Sequence, residues 1–480
     1  MKDKILFPVL LFLCYSLPVG AQRICGFELT KAALIAKDPT WAERYEAQRA
    51  SLQGIADSYK TAIRSGAAQR TSAAAAPIPV IFHIIVDTEQ FNQIGGYAGI
   101  QQRIDSQIVV LNRDYNRQNA DSALIPYGWK HLYAATGIHF GLAHTAPNGW
   151  GSYGYEVRFI SSSLGGFDGA SNDYSDAKHA ATGGLDAWDV TKYLNVWCIN
   201  FTDYNGLLGL TVFKSGCGGT GFPIDEEGIC VNYLAFGKRT LPTDDYIPCG
   251  YSTGGVPDYY DLGRTLTHEV GHFFEIWHTW GDDGGACPWT GAHEDDGLAD
   301  TPPEANYKYY NYPDTIPGGT YYDACHYDGV IDTQATLYGI ASLDYMNYTD
   351  DIAMHMFTTD QAAVMAAQVE PGGENYSLTQ NPTLLNWPAN TGVNDQSPER
   401  SISIYPNPAS AYINISLNTQ ANELQQIAIT NILGQQVYSL NTTNAAPNFY
   451  SIDLSAMIKG IYFVRCTFAS GTITRKILLQ

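Results

Sequence analysis

Basic residues are scarce in this chain: 27 Lys and Arg stand against 48 Asp and Glu, giving a formal net charge of -21 over 480 residues. Nucleic acid is thereby excluded as a natural partner, because binding it calls for a concentrated basic face. Long apolar runs are also wanting. The run at residues 5–13 is far shorter than the roughly 20 residues a membrane-spanning helix needs, and no later segment is long enough either, so no transmembrane span is expected. Although there are nine cysteines, none stand in CxxC spacing, which disfavours a thiolate zinc site. Neither a repeat array nor a long low-complexity tract is present.

What is there divides the chain into segments, as its length requires, since single cores stop growing near about 250–300 residues. Lys2 and Lys4, the short apolar run and the small residues Val19-Gly20-Ala21 read as a secretory signal peptide over residues 1–21. A secreted chain meets an oxidising compartment, so some of the remaining cysteines are expected to pair, with Cys287 and Cys325 the preferred couple. Residues 22–76 are helix-compatible and end in a small, flexible stretch, Ser65-Gly66-Ala67-Ala68-Gln69-Arg70-Thr71-Ser72-Ala73. Exposed stretches of that kind are where proteases cut, so this segment reads as a removable propeptide with Arg64 or Arg70 as the cleavage point.

From residue 77 to 370 the pattern is that of an α+β core. Ile78-Pro79-Val80-Ile81-Phe82-His83-Ile84-Ile85-Val86 is an apolar, β-branched run suited to a buried strand. Further strands are expected at 137–143 and 194–201, with helices at 101–115, where Ile104, Ile108 and Leu111 keep helical spacing, and at 264–274. Residues 371–400 turn rich in Pro, Gly, Asn and Thr and read as a linker. Beyond it, short alternating strands at 401–405, 412–417, 426–430, 436–439, 461–467 and 472–478 predict a C-terminal all-β sandwich over 401–480.

The chemistry is concentrated in Thr267-His268-Glu269-Val270-Gly271-His272-Phe273-Phe274-Glu275-Ile276-Trp277-His278. Residues four apart share one helix face, so His268 and His272 can offer two imidazoles to one metal, while Leu262, Leu266, Val270 and Phe273 form an apolar back. Glu269, between the two faces, can take a proton from a water that zinc acidifies to a pKa of about 7. His278 lies about 15 Å further along a continuous helix, so it reaches the same ion only if the helix ends and the chain turns back. Glycine normally makes such a turn, yet Glu275 stands where it is expected, at a strain of roughly 1–2 kcal/mol that a zinc site could offset. Glu275 itself is a poor ligand, since three groups strung over about 10.5 Å of straight helix do not converge.

HEVGHFFEIWHTW matches the extended zinc motif of the metzincins and most resembles the pappalysin-like branch. Around it, residues 78–83, the stretch Ala187-Trp188-Asp189-Val190-Thr191-Lys192-Tyr193-Leu194-Asn195-Val196-Trp197, Asp296-Gly297-Leu298-Ala299-Asp300-Thr301-Pro302 and Asp344-Tyr345-Met346-Asn347-Tyr348 are similar as well. The resemblance implies a catalytic domain built on a twisted mixed sheet, with an active-site helix and a second, irregular subdomain. It implies zinc on His268, His272 and His278, Glu269 as catalytic base, Met346 as the methionine of the turn beneath the metal, and Tyr348 directed at the metal or the oxyanion. Asn347 departs from the Asp usual in that branch.

Arg23-Ile24-Cys25-Gly26 looks like the cysteine switches of related proenzymes, in which a thiolate closes the open zinc position; a disulfide is the other reading of Cys25. Asp282, Asp283, Glu294, Asp295, Asp296 and Asp300 suit calcium, which pappalysin-like enzymes carry, or form a solvated acidic loop. The last eighty or so residues resemble the sorting domain of the type IX secretion system, through Ile404-Tyr405-Pro406-Asn407-Pro408-Ala409, Asn431-Ile432-Leu433-Gly434-Gln435-Gln436-Val437, Lys459-Gly460-Ile461-Tyr462 and Arg475-Lys476-Ile477. The implied partners are protein or peptide substrates and that secretion machinery, and the implied location is extracellular or cell-surface attached. The expected function is a secreted zinc endopeptidase made as a latent zymogen; the alternative is an inactive zinc-containing adhesive or binding protein, against which the retained Glu269 argues.

Overall fold

The computed structural model describes residues 24–65, 76–125, 127, 129–163, 165–168, 174–202, 206–212, 223–253, 256–281, 296–301, 343–388, 402–405, 407–409, 412–417, 424–442, 449–468 and 471–480. The signal segment, Arg70, Cys217, Cys287, Cys325, Asp282, Asp283, Glu294 and Asp295 lie outside them. No described helix is long and apolar enough to cross a membrane.

The central element is β2 (Ile78–Val86), and every one of its residues is buried. Its apolar, β-branched sequence suits a strand covered on both faces, so it shows no in-out alternation. Parallel neighbours β3 (Phe140–Leu142), β4 (Tyr155–Phe159) and β5 (Leu194–Ile199) pair with it. β7 (Gly228–Asn232) continues the parallel run beside β5, and β6 (Leu207–Val212) then pairs antiparallel to β7. The short β1 (Ile24–Cys25) closes this seven-stranded mixed sheet by pairing parallel to β6. A separate hairpin joins β8 (Pro248–Thr253) to β9 (Val256–Tyr259).

Helix α1 (Phe27–Lys37) and the long α2 (Trp41–Ser65) follow β1. They share one core with the sheet: Leu34, Trp41, Tyr45, Leu52 and Ala56 are buried in the same cluster as β2, β5, β6 and β7. After β2 come α3 (Thr88–Gln93), started by a reciprocal Asp87–Gln90 capping box, and α4 (Gly96–Tyr115). α4 packs against α5 (Arg264–Phe273), and α5 lies under β6 and β7. α6 (Thr359–Val369), with its own Thr358–Gln361 capping box, packs along α2.

The stretch read as a linker from residue 371 stays on this body as far as residue 387. His144 N and Thr145 N both donate to Leu384 O, and the Trp387 ring stacks on His144 at 4.9 Å. Leu384, Leu385 and Trp387 are what anchor it, because each packs against the 141–151 region.

The C-terminal part forms two antiparallel sheets. One holds β10 (Ile402–Tyr405), β11 (Tyr412–Leu417) and β14 (Phe449–Asp453). The other holds β12 (Leu424–Asn431), β13 (Gln436–Asn441), β15 (Gly460–Phe468) and β16 (Gly471–Leu479). Ile413, Ile415 and Ile452 from the first sheet share one core with Ile427, Val464 and Ile473 from the second, which makes a sandwich. Along β15 buried and exposed residues alternate, as one face in a core and one in solvent require.

Candidate active site

Helix α5 starts at Gly263, whose φ of 80° sets the entry turn, and ends at Phe273. Its termination follows a Schellman pattern: Ile276 N donates to Gly271 O at 3.0 Å and Glu275 N to His272 O at 2.7 Å. Glu275 takes the left-handed conformation this motif needs, with φ 66°, so the turn expected from His278 is made by a non-glycine residue. Three positive-φ non-glycine residues occur among the described residues, and this one sits between two of the histidines.

The turn folds His278 back onto the helix. The Nε2 atoms of His268 and His272 are 3.2 Å apart, those of His268 and His278 3.2 Å, and those of His272 and His278 3.0 Å. All three rings are buried. His268 Nδ1 donates to Tyr345 O at 2.6 Å and His272 Nδ1 to Ile276 O at 2.7 Å. A carbonyl only accepts, so each of these rings carries its proton on Nδ1 and turns an Nε2 lone pair toward the common centre. Two lone pairs 3.2 Å apart repel, and a cation among them converts repulsion into coordination. Tetrahedral zinc with bonds of about 2.0–2.1 Å separates its nitrogens by roughly 3.3 Å, so the donor set fits that ion. The Nδ1 bonds to carbonyls are the outer support that orients such ligands.

Cys25 joins this group: its Sγ and the three histidine nitrogens lie within 4.8 Å of one another, and Cys25 is buried. β1 brings it there, with Gly26 N donating to Gly209 O at 2.7 Å along the edge of β6. The buried thiols in the sheet differ in setting: burial pushes Cys230 up to about 11 and Cys198 well above the ordinary thiol value.

Glu269 is 1% exposed and lies against β6. Thr211 Oγ1 lies 2.8 Å from Glu269 Oε2 and 2.9 Å from Glu269 O. Beneath the histidines, Met346 is fully buried, and a Cβ added at Gly271 would stand 2.4 Å from its Sδ. The turn that carries it is held by Met346 N on Asp344 Oδ1 at 2.8 Å and by Asn347 Nδ2 on Thr279 Oγ1 at 3.0 Å. Asn347 therefore ties the turn to the residue after His278. Tyr348 places its ring 4.8 Å from His278 and 6.1 Å from His268, and its hydroxyl donates to Cys25 O at 3.2 Å.

Several contributors were not read from the sequence. Trp280 stacks on His278 at 4.3 Å with the rings 8° apart. Trp277 takes the ring of Tyr45 at 3.8 Å, which in turn stacks on Trp41, so α2 covers the flank of the site. Behind α5, Arg264 joins Asp114 at 2.6 Å, Asp121 at 2.7 Å and the Tyr345 hydroxyl. Burial raises Asp114 to about 6 despite Arg264, whereas Asp121, against its own burial, is drawn down to about 2 by His355 and Arg264. Of the acidic run, Asp296 accepts from Thr301 Oγ1 and Leu298 N, and Asp300 accepts from Thr358 Oγ1 and Asp360 N.

Comparison with known proteins agrees with this geometry. Residues 250–370 match the family described as pregnancy-associated plasma protein-A, and residues 403–480 match the secretion system C-terminal sorting domain. An extracellular metalloprotease of Arthroderma benhamiae is 25% identical over 317 residues, covering 65% of this chain and 80% of the relative. Another, from Coccidioides posadasii, is 27% identical over 298 residues, covering 61% and 77%. Mirolysin in complex with a small compound is 29% identical at a TM-score of 0.51, covering 65% of this chain and 100% of that one. A promirolysin variant of Tannerella forsythia is 27% identical at a TM-score of 0.53, covering 75% and 98%. The chain is an extracellular metalloprotease of the pappalysin-like family that carries a C-terminal secretion-system sorting domain.

Proposed function

We propose that the chain is a zinc-dependent endopeptidase made in latent form, with His268, His272 and His278 holding the metal. The observation that carries this reading is the convergence of the three Nε2 atoms at 3.0–3.2 Å, two of them on rings whose Nδ1 is bound to a backbone carbonyl. When bound, zinc supplies a Lewis acid that polarises a peptide carbonyl and acidifies water.

The remaining work falls to side chains of the protein. Glu269 accepts the proton of the attacking water on one carboxylate oxygen and returns it to the leaving amine. Tyr348 donates its phenolic hydrogen to the oxygen of the scissile carbonyl as negative charge develops there. Its hydrogen bond to the Cys25 carbonyl supports that role, since a backbone carbonyl is the group it already binds. Met346 gives the imidazoles an apolar floor.

Residues 22–76 act as the propeptide in this reading. Cys25 Sγ lies in the ligand group, β1 fills the β6 edge, and Tyr45 covers Trp277, so a substrate strand and the Cys25 segment compete for one space. The match to promirolysin spans a larger share of this chain, 75%, than the match to mirolysin, 65%, which supports a latent precursor. The 401–480 sandwich is handed to the secretion machinery.

The test is hydrolysis of casein by the activated chain, with and without a chelator, and by Glu269→Ala. Both treatments should lower the rate, the substitution by about 10³-fold, in the range general-base catalysis contributes. Activity that survives Glu269→Ala with the metal still bound would rule this mechanism out.

A further inference from the structure

β6 is the strand beside which Glu269 lies, and two of its residues meet that side chain. Gly209 and Thr211 are two apart, so they share one face of the strand. A Cβ built on Gly209 would stand 2.6 Å from Glu269 Cγ and 2.7 Å from Oε1. That is closer than carbon and oxygen approach without covalent bonding, so only glycine leaves the carboxylate its place. Thr211 lies within 2.8 Å of Oε2 and 2.9 Å of the Glu269 backbone oxygen, and it is fully buried.

A threonine hydroxyl has one hydrogen to give. The backbone oxygen of Glu269 already receives an α-helical bond from further along α5, whereas an ionised carboxylate is the stronger acceptor and makes the shorter contact. The hydrogen therefore goes to Oε2. With Oε2 tied down, the carboxylate plane is set, and Oε1 lies on the Gly209 side.

We infer that Thr211 is a positioning residue that holds the Glu269 carboxylate by a hydrogen bond to Oε2, in a recess that Gly209 keeps open. This rests on the reading of Glu269 as general base. An unheld carboxylate on a long side chain samples other rotamers, and catalytic groups lose rate steeply with small misplacement.

The experiment compares wild type, Thr211→Val, Thr211→Ser and Glu269→Gln as full-length chains activated in the same way, with the processed fraction and zinc content of each measured. kcat and KM are determined on a quenched fluorescent peptide. Thr211→Val keeps the shape but not the hydroxyl, and kcat should fall about ten-fold, with KM within two-fold and one zinc per chain. Thr211→Ser restores the hydroxyl without the methyl and should recover most of kcat. The inference is overturned if Thr211→Val retains the wild-type kcat, or if Thr211→Ser is as slow as Thr211→Val while both carry zinc, which would assign the loss to the methyl's packing. Should Thr211→Val fail to fold, the serine variant decides alone: kcat near wild type upholds the hydroxyl, and a ten-fold loss with zinc retained removes it. Failure of the underlying reading is seen separately, as undiminished activity of Glu269→Gln.

Discussion

Gly271 gives the sharpest quantitative test of how the zinc helix is seated. It lies inside α5, where Gly→Ala ordinarily stabilises by about 1 kcal/mol through backbone propensity. The structure reverses that sign. The added Cβ would stand 2.4 Å from Met346 Sδ and 3.2 Å from its Cε, with Phe357 Cε1 at 3.6 Å. An ordinary carbon–sulfur contact is more than 1 Å longer than the first of these, and both Met346 and Phe357 are fully buried, so the thioether has no empty space to enter. Overpacking of this kind costs about 1–3 kcal/mol and outweighs the helix gain, leaving a net loss of up to about 2 kcal/mol.

The displacement also has a chemical consequence. Met346 follows Tyr345, whose carbonyl accepts from His268 Nδ1 at 2.6 Å, so moving the turn loosens an outer support of the first imidazole. Loss of such support lowers metal affinity by about 10- to 100-fold. Urea unfolding followed by tryptophan fluorescence, together with zinc retention against a graded chelator series, measures both effects. The double variant Gly271→Ala with Met346→Ala should recover part of the loss, with a coupling of at least about 1 kcal/mol, because the shorter side chain makes room for the new methyl. The reasoning is refuted if Gly271→Ala alone is more stable than wild type by about 1 kcal/mol and holds zinc as tightly, since propensity would then be the whole effect.

Two further outcomes are expected. Cys25→Ser leaves the backbone pairing of β1 with β6 in place but removes the thiolate, so the unprocessed chain should hydrolyse a quenched peptide measurably faster than the unprocessed wild type; equal latency in the two would count against the thiol. Asp300 is raised to about 6 by burial and by Asp360, so its native carboxylate costs stability, up to about 3 kcal/mol, above that pH, and this cost disappears as pH falls from about 6 to 4. Asp300→Asn should therefore gain stability relative to wild type at pH 7.5 and lose that advantage near pH 4, as read from urea midpoints at both values; a pH-independent difference would contradict the assignment.

Local order carried most of what could be read in advance. β2 coincides with its expected span, residues 78–86, because an unbroken β-branched run has few alternatives to a buried strand. The sandwich strands β10, β11, β12, β13, β15 and β16 were legible from alternation and turn residues, while β14, short and beside a turn-rich stretch, was not. The pair β6 and β7 escaped for a related reason: each is a brief apolar run among glycines, with no period to separate strand from loop.

At the site, the amino-acid order alone determined that two imidazoles share a helix face, that a third must be returned by a break near Glu275, and that an acid stands between them. These follow from the helical repeat and from the length of a metal–nitrogen bond. Only the tertiary structure decided what surrounds them. Thr211 and Gly209 reach Glu269 because β6 crosses the helix, Arg264 meets Asp114 and Tyr345 because three separate segments converge behind it, and Cys25 arrives because a two-residue strand pairs with β6. None of these contacts has a sequence period to announce it, because each depends on which surfaces the packing of the whole core brings face to face.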